Sequence, residues 1–122
     1  MAHGATILIV EDDDGLRRMY RNALALAGYE IREARSGYEA LASLDRNPAD
    51  LVILDLGLPG IGGVDVRHEL ASGVLSRHIP IVVVTGAATV PDNIDVACVL
   101  RKPVSDEQLI QTVRNCLAAS AG

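Results

Sequence analysis

The sequence of 122 residues is poor in aromatic residues and in lysine, and it has no long hydrophobic run. It contains no tryptophan and no phenylalanine, and its three tyrosines, Tyr20, Tyr29 and Tyr38, all lie in the first third. Ten of the eleven basic residues are arginine, so Lys102 is the single lysine. No apolar segment approaches the ~20 residues of a membrane helix, so we expect no membrane span.

Charge, cysteine content and the N-terminal sequence limit the function further. The net charge of −5 at pH 7 argues against direct binding of nucleic acid, because phosphates attract basic surfaces. Cys98 and Cys116 form no CxxC pair and no metal-ligand cluster, so we expect buried structural thiols. The N-terminus lacks the basic start and cleavage site of a signal peptide, and we expect a cytoplasmic protein.

Short apolar runs alternate with helical patterns along the chain. The short apolar runs at 6–10, 51–54 and 81–85 are typical of buried parallel strands, and two weaker strands are expected at 29–34 and 96–101. One of the helices between them is expected from Gly63 towards Ser72. The alternation predicts an α/β fold, with a doubly wound parallel sheet covered by helices on both faces.

Helix ends are marked by glycine and by capping patterns. Gly28 is expected to end the first helix, which Asp13 or Asp14 caps. Ser36 to Glu39 and Ser105 to Gln108 are capping boxes, in which each side chain accepts from the backbone N–H of the other residue.

Four strands end in polar residues that a parallel sheet brings to one edge. Glu11 and Asp12 follow the first strand, Asp55 ends the third, Thr85 ends the fourth and Lys102 follows the fifth. In such sheets the ligand crevice lies beyond the carboxyl ends of the strands. Converging carboxylates repel each other unless a divalent cation or an ammonium group neutralises them.

Acids, a lysine and a hydroxyl around a metal ion form a set that suits a phosphoryl group. Asp55 is the predicted nucleophile because it ends the most apolar strand, which should be central, and an aspartate can carry an acyl phosphate. Glu11 and Asp12 would hold the metal together with Asp55, and the backbone carbonyl of Gly57 would be a further ligand.

The motifs "ILIVEDD", "LVILDLGLPGIGG", "IVVVTG" and "RKP", in this order, resemble those of the receiver domain of two-component response regulators. The resemblance implies a single receiver domain over residues 1–122, with a core at about 5–118 and a tail or linker start at 119–122. It also implies a flavodoxin-like receiver fold with five strands in the order 2-1-3-4-5.

The resemblance implies a role for each site residue. Asp55 would accept a phosphoryl group from the phosphohistidine of a sensor histidine kinase or histidine phosphotransfer protein. Glu11 and Asp12 would match the acidic pair that binds Mg²⁺, or another divalent cation such as Mn²⁺. Thr85 would be the switch hydroxyl, and Lys102 would bond the phosphoryl group as a compact point charge, which an arginine is not.

Phosphorylation would change the conformation and the binding of a downstream effector protein or domain. The protein would catalyse its own phosphoryl transfer and dephosphorylation without being a conventional enzyme.

Two features depart from the family. Val99 stands where receivers usually have an aromatic residue, and no other aromatic lies near it in the sequence. The segment between Thr85 and Lys102 is short, so the fourth helix is expected to be stunted or absent.

Two other functions compete with the phosphorylated switch. A phosphorylation-independent receiver-like interaction module stays open, although such a module has no chemical need for the acids, the threonine and the lysine. An aspartyl-phosphate hydrolase of the haloacid dehalogenase type needs a second aspartate two residues after the nucleophile, where this sequence has Gly57, and is set aside.

Overall fold

The computed structural model describes residues 4–57, 79–86 and 98–121. Within them, five strands and three helices follow one another in the order that the hydrophobic pattern predicts. The strands are β1 (Thr6–Val10), β2 (Glu30–Ala34), β3 (Leu51–Asp55), β4 (Ile81–Thr85) and β5 (Cys98–Arg101). The helices are α1 (Asp14–Leu26), α2 (Gly37–Arg46) and α3 (Asp106–Ala121).

All neighbouring strands pair in parallel, and the strand order is β2-β1-β3-β4-β5. The predicted fold class and the strand order implied by the resemblance are therefore confirmed. β3 is the central strand and is buried along its whole length, as its apolar sequence predicts. The register pairs Asp55 with Val84 of β4, so Thr85 lies one step further along the same edge.

The sheet separates two hydrophobic clusters, because successive side chains of a strand point to opposite faces. Leu8 and Val10 of β1 pack with Ala40 and Leu44 of α2 on one face. On the other face the same strand contributes Ile7 and Ile9; their cluster includes Tyr20 and Leu24 of α1 and Leu109 and Val113 of α3. This double burial explains why the inner strands are apolar without alternation.

The helix caps largely follow the sequence. Asp13 caps α1, and its Oδ1 accepts a hydrogen bond of 2.9 Å from the N–H of Leu16. Ser105 and Gln108 form the reciprocal capping box, with 3.1 Å in each direction.

The first capping box departs from the expected pattern in one half. Ser36 Oγ accepts from the Glu39 N–H at 3.1 Å, as predicted. The Glu39 carboxylate, however, accepts from the N–H of Arg35, one residue before the cap, at 3.0 Å. The backbone of the cap residue Ser36 is extended, and the carboxylate passes it to bond the Arg35 N–H in place of the expected Ser36 N–H.

The expectation of two buried thiols is wrong. Cys98 and Cys116 are free and only half-buried, because both lie at the margin of the cluster that covers the edge strand β5. The helix expected at 63–72 and the shortened fourth-helix segment at 87–97 lie outside the described residues. In the described part of the chain, no helix has the length and hydrophobicity needed to cross a bilayer.

Gly28 ends α1 with a positive φ of 101°, a conformation that side chains with a Cβ rarely adopt. We predict that Gly28→Ala lowers the free energy of unfolding by about 1–2 kcal/mol, although a Cβ there meets no atom within 4 Å. Urea unfolding measures the loss. Gly28→Asn is the matched control and should lose less, since asparagine tolerates positive φ; equal losses would point to a cause other than backbone conformation.

Candidate functional site

The carboxyl edge of the sheet brings together the side chains that the strand ends predict. Glu11 directly follows β1 and is only 2% exposed, while Asp55 at the end of β3 is 7% exposed. Thr85 is buried at the end of β4, and Asp12 is exposed beside Glu11. Lys102 follows β5, with its side chain 22% exposed.

Lys102 links the two buried acids. Its Nζ lies 2.9 Å from Glu11 Oε1 and 3.5 Å from Asp55 Oδ2. Its backbone N–H donates to the carbonyl of Thr85 at 2.9 Å, and the peptide bond to Pro103 is cis. The lysine therefore starts from a fixed point on the β4–β5 ladder and reaches across the edge to β1 and β3.

The second oxygen of each buried carboxylate is held by the backbone. Glu11 Oε2 accepts from the N–H of Asp13 at 3.2 Å, and Asp55 Oδ1 accepts from the N–H of Gly57 at 3.0 Å. Each acid thus has one oxygen on a backbone donor and the other on the ammonium group. This arrangement fixes both carboxylate planes before any ligand is bound.

Burial and mutual charge shift the pKa values of the pair. Burial raises the pKa of Glu11 above its usual value, and the nearby Asp55 adds to this, although Lys102 and the Asp13 N–H act in the opposite direction. Burial on its own would lower the pKa of Lys102, but the hydrogen bond and the charge of Glu11, with Asp55, raise it. Lys102 therefore carries its positive charge at neutral pH.

Three carboxylates form a group that fits a hard divalent cation. Oxygen atoms of Glu11, Asp12 and Asp55 lie within 4.8 Å of one another. Carboxylate oxygens completed by water are the ligands that Mg²⁺ takes in proteins. The predicted ligand from the Gly57 carbonyl stays a prediction, since the contact described for this residue is its N–H on Asp55.

Sequence reasoning missed Arg17, which anchors the loop that carries the acids. Its guanidinium is buried, and it donates to the carbonyl of Glu11 at 3.0 Å, to Glu33 at 3.0 Å and to Asp14 at 2.6 Å. The signal was available, because a charged residue three positions before Tyr20 lies on the apolar stripe of α1.

Tyr20 lies on the apolar stripe of α1, where helical periodicity predicts a core residue and no further role. Its side chain is 2% exposed, and its hydroxyl has no hydrogen-bond partner among the described residues. Tyr20 packs in the cluster on the α1 face, whereas Val99 packs on the α2 face. Tyr20 is therefore not a replacement for the aromatic residue missing at Val99.

The fold and the site together define a class, the flavodoxin-like α/β domain with an acidic pocket and a lysine at the carboxyl edge of its sheet. The family described as response regulator receiver domain matches residues 7–114. The chain belongs to this family, whose members act in two-component signalling.

Individual relatives agree with the family match. The polar-differentiation response regulator DivK of Brucella ovis is 31% identical over 117 residues, which cover 92% of this chain and 95% of DivK. The chemotaxis response regulator CheY4 of Vibrio cholerae has a TM-score of 0.86 at 26% identity, covering 93% of this chain and 98% of CheY4. The signal receiver domain of a histidine kinase from Syntrophus aciditrophicus has a TM-score of 0.88 at 26% identity, covering 95% and 92%.

Arg17 should stabilise the loop that carries Glu11 and Asp12 to a greater extent than the more exposed Arg21 does. We predict that Arg17→Met lowers the free energy of unfolding by about 2 kcal/mol, because the buried carbonyl of Glu11 loses its side-chain donor while the aliphatic stem keeps its packing. Arg21→Met is the matched control and should lose at most about 1 kcal/mol, since the contacts described for Arg21 are exposed: a 3.3 Å bridge to Glu33 and 3.4 Å hydrogen bonds to the Asn22 side chain. Equal losses in urea unfolding would contradict the anchoring role.

The raised pKa of Glu11 predicts a pH dependence of the metal-free protein. The folded state retains the Glu11 proton to higher pH than the unfolded state, whose value is near 4.5. The contribution of Glu11 to the free energy of unfolding should therefore fall as pH rises from 4.5 through the raised pKa.

Comparison with Glu11→Gln isolates this contribution. The free energy of unfolding of both proteins is measured in EDTA from about pH 4 to about pH 8, and the wild-type value minus the variant value should fall with pH. A difference that rises over this interval would mean that the pKa of Glu11 is lowered, contrary to the dominance of burial.

Proposed function

We propose that this receiver domain is an active phosphorylation switch, in which Asp55 accepts the phosphoryl group from the phosphohistidine of a sensor histidine kinase or histidine phosphotransfer protein. The observation that carries the proposal is the shared Lys102 ammonium between Glu11 and Asp55, at 2.9 and 3.5 Å. A domain that served only as a binding surface would not need two buried acids held around one cation.

Asp55 is suited to in-line attack because its orientation is set in advance. Its Oδ1 is held by the Gly57 N–H, and it ends the central strand at the carboxyl edge of the sheet. In the transfer, an Asp55 oxygen forms the new P–O bond while the P–N bond to the histidine breaks. The bonding pair of the broken bond remains on the imidazole nitrogen.

Glu11, Asp12 and Asp55 are the residues that would hold Mg²⁺, or Mn²⁺, at this site. The ion supplies charge neutralisation for the phosphoryl oxygens as negative charge develops on them. Glu11 is already oriented through its bond to the Asp13 N–H, and exposed Asp12 can reach a ligand from the solvent side.

Lys102 and Thr85 are proposed to bind the phosphoryl group after transfer. The ammonium already lies 3.5 Å from an Asp55 oxygen, so new oxygens on Asp55 come within its reach. Thr85 lies on the neighbouring strand, one residue past the partner of Asp55, and its carbonyl is bonded to the Lys102 backbone. A movement of either residue is thus passed to the other through the backbone.

The proposal also covers the location of the switch, its partners and its self-catalysed reactions. The domain would act in the cytoplasm as one receiver unit with its core at 5–118, pass its state to an effector protein or domain, and promote its own phosphorylation and dephosphorylation without being a conventional enzyme. Membership of the response regulator family supports a partnership with kinases and effectors.

The test is phosphorylation by a small donor. We predict that the protein incubated with Mg²⁺ and acetyl phosphate gains one phosphoryl group in its intact mass, and that Asp55→Asn or EDTA abolishes the gain. Asp45→Asn, an exposed acid on α2, is the matched control and should be labelled like the wild type.

Two results would contradict the proposal. Equal labelling of Asp55→Asn would move the acceptor to another residue. A folded wild-type protein that gains no phosphoryl group from acetyl phosphate or from a phosphorylated kinase, and that binds no Mg²⁺, would favour the phosphorylation-independent interaction module.

A further inference from the structure

Among the buried residues described in its hydrophobic cluster, Tyr20 alone has a polar side-chain atom. The other fully buried members of the cluster are aliphatic, and the Tyr20 hydroxyl has neither donor nor acceptor contact among the described residues. A buried hydroxyl without a partner destabilises the folded state, and phenylalanine would fill the same volume without this cost. The resting fold therefore does not account for the hydroxyl.

The charges that act on the phenol are those of the site. Burial raises the pKa of Tyr20, Lys102 lowers it, and Glu11 and Asp55 raise it further. The influence is mutual, because Tyr20 also contributes to the raised pKa of Lys102. Tyr20 shares its cluster with Val104, which follows Lys102 by two residues. Ile9, two residues before Glu11, belongs to the same cluster, so Tyr20 packs beside both chain segments that carry the Lys102–Glu11 pair.

Glu11 Oε1 is the acceptor that complements this hydroxyl. Among the described residues its sole partner is the Lys102 ammonium, at 2.9 Å, and the atom is buried. A phosphoryl group on Asp55 offers Lys102 new anionic oxygens and so competes with Glu11 for the ammonium. If Lys102 turns to them, Glu11 Oε1 loses the one donor that the described residues give it, and an unpaired buried carboxylate oxygen is strongly unfavourable.

We propose that the Tyr20 hydroxyl is a positioning group that takes the place of Lys102 as the donor to Glu11 Oε1 when the site is loaded. The exchange frees the ammonium for the phosphoryl oxygens, and it keeps Glu11 oriented for the cation through bonds to both of its oxygens. An oxygen of a carboxylate has two lone pairs, so Oε1 can accept from Tyr20 and still face the metal. This inference rests on the proposed function, because it assigns a role within the same site.

Tyr20→Phe removes the hydroxyl alone and is the direct test. In the metal-free protein the variant should melt at the same temperature as the wild type or higher, since it loses an unpartnered polar atom. Its affinity for Mg²⁺ with beryllium fluoride, a phosphoryl mimic, should fall about 10- to 100-fold, which is the loss of one hydrogen bond to a charged group. Tyr29→Phe is the matched control and should bind the mimic with wild-type affinity.

Tyrosine fluorescence gives a second reading, because the chain has no tryptophan to mask it. In the double variant Tyr29→Phe/Tyr38→Phe, Tyr20 is the sole emitter. Its emission should fall when Mg²⁺ and beryllium fluoride bind, since a phenol that donates to a carboxylate is quenched. Unchanged emission on loading would overturn the proposal.

The two remaining outcomes separate this inference from the proposed function. Wild-type affinity for the mimic in Tyr20→Phe, or a lower melting temperature of the metal-free variant, would overturn the partner exchange while leaving the switch intact. A wild-type protein that binds neither Mg²⁺ nor the mimic, while remaining folded, would overturn the proposed function and this inference with it.

Discussion

The ion pair between Lys102 and the two buried acids is the interaction on which the site depends. Parallel strands bring Glu11 and Asp55 to one edge of the sheet, and their burial makes two uncompensated negative charges strongly unfavourable. Lys102 neutralises both at once because the β4–β5 ladder fixes its backbone opposite them. The folded state can therefore keep two acids with low exposure in a crevice that is otherwise built from apolar strands.

The supporting contacts restrict the acids rather than add further charge. Backbone N–H groups donate to one oxygen of each buried carboxylate, and the Arg17 guanidinium donates to the backbone carbonyl of Glu11. These donors fix the direction of the acids and leave the ammonium as the partner that can move, since a lysine side chain has several rotatable bonds and that of Lys102 is 22% exposed. The site thus combines rigid acids with a cation that can move.

The sequence was sufficient for the fold because local and global signals agree. Uniformly apolar runs mark β3 and β4 as strands buried on both faces, and the ends of these strands predict the residues that meet at the edge. The exact partners of side chains were less accessible. Glu39 bonds to Arg35 instead of Ser36, and the cysteines lie at the margin of a cluster, because both depend on tertiary positions that no local pattern encodes.

Arg17 and Tyr20 were missed for a common physical reason. Both lie on the buried stripe of α1, where helical periodicity assigns a residue to the core whatever its polar atoms do. Periodicity indicates which way a side chain points, but it does not identify the groups that the side chain contacts. The remaining sequence signal is a polar atom on an apolar stripe, because such an atom needs a hydrogen-bond partner. Here α1 packs against β1, the strand that precedes Glu11 and Asp12.

The resting ion pair also sets what loading of the site has to overcome. A cation or a phosphoryl group must compete with an ammonium that already lies 2.9 Å from Glu11, so the stabilisation that Lys102 gives the free protein opposes ligand binding. By thermodynamic linkage, a group that donates a new hydrogen bond to Glu11 in the loaded state lowers the free-energy cost of ligand binding by the free energy of that bond. The buried hydroxyl of Tyr20 has no partner in the part of the resting fold that the structure describes and is suited to this role. The same hydroxyl that weakens the resting state would then strengthen the loaded one, which is how a small domain can hold two states close in free energy.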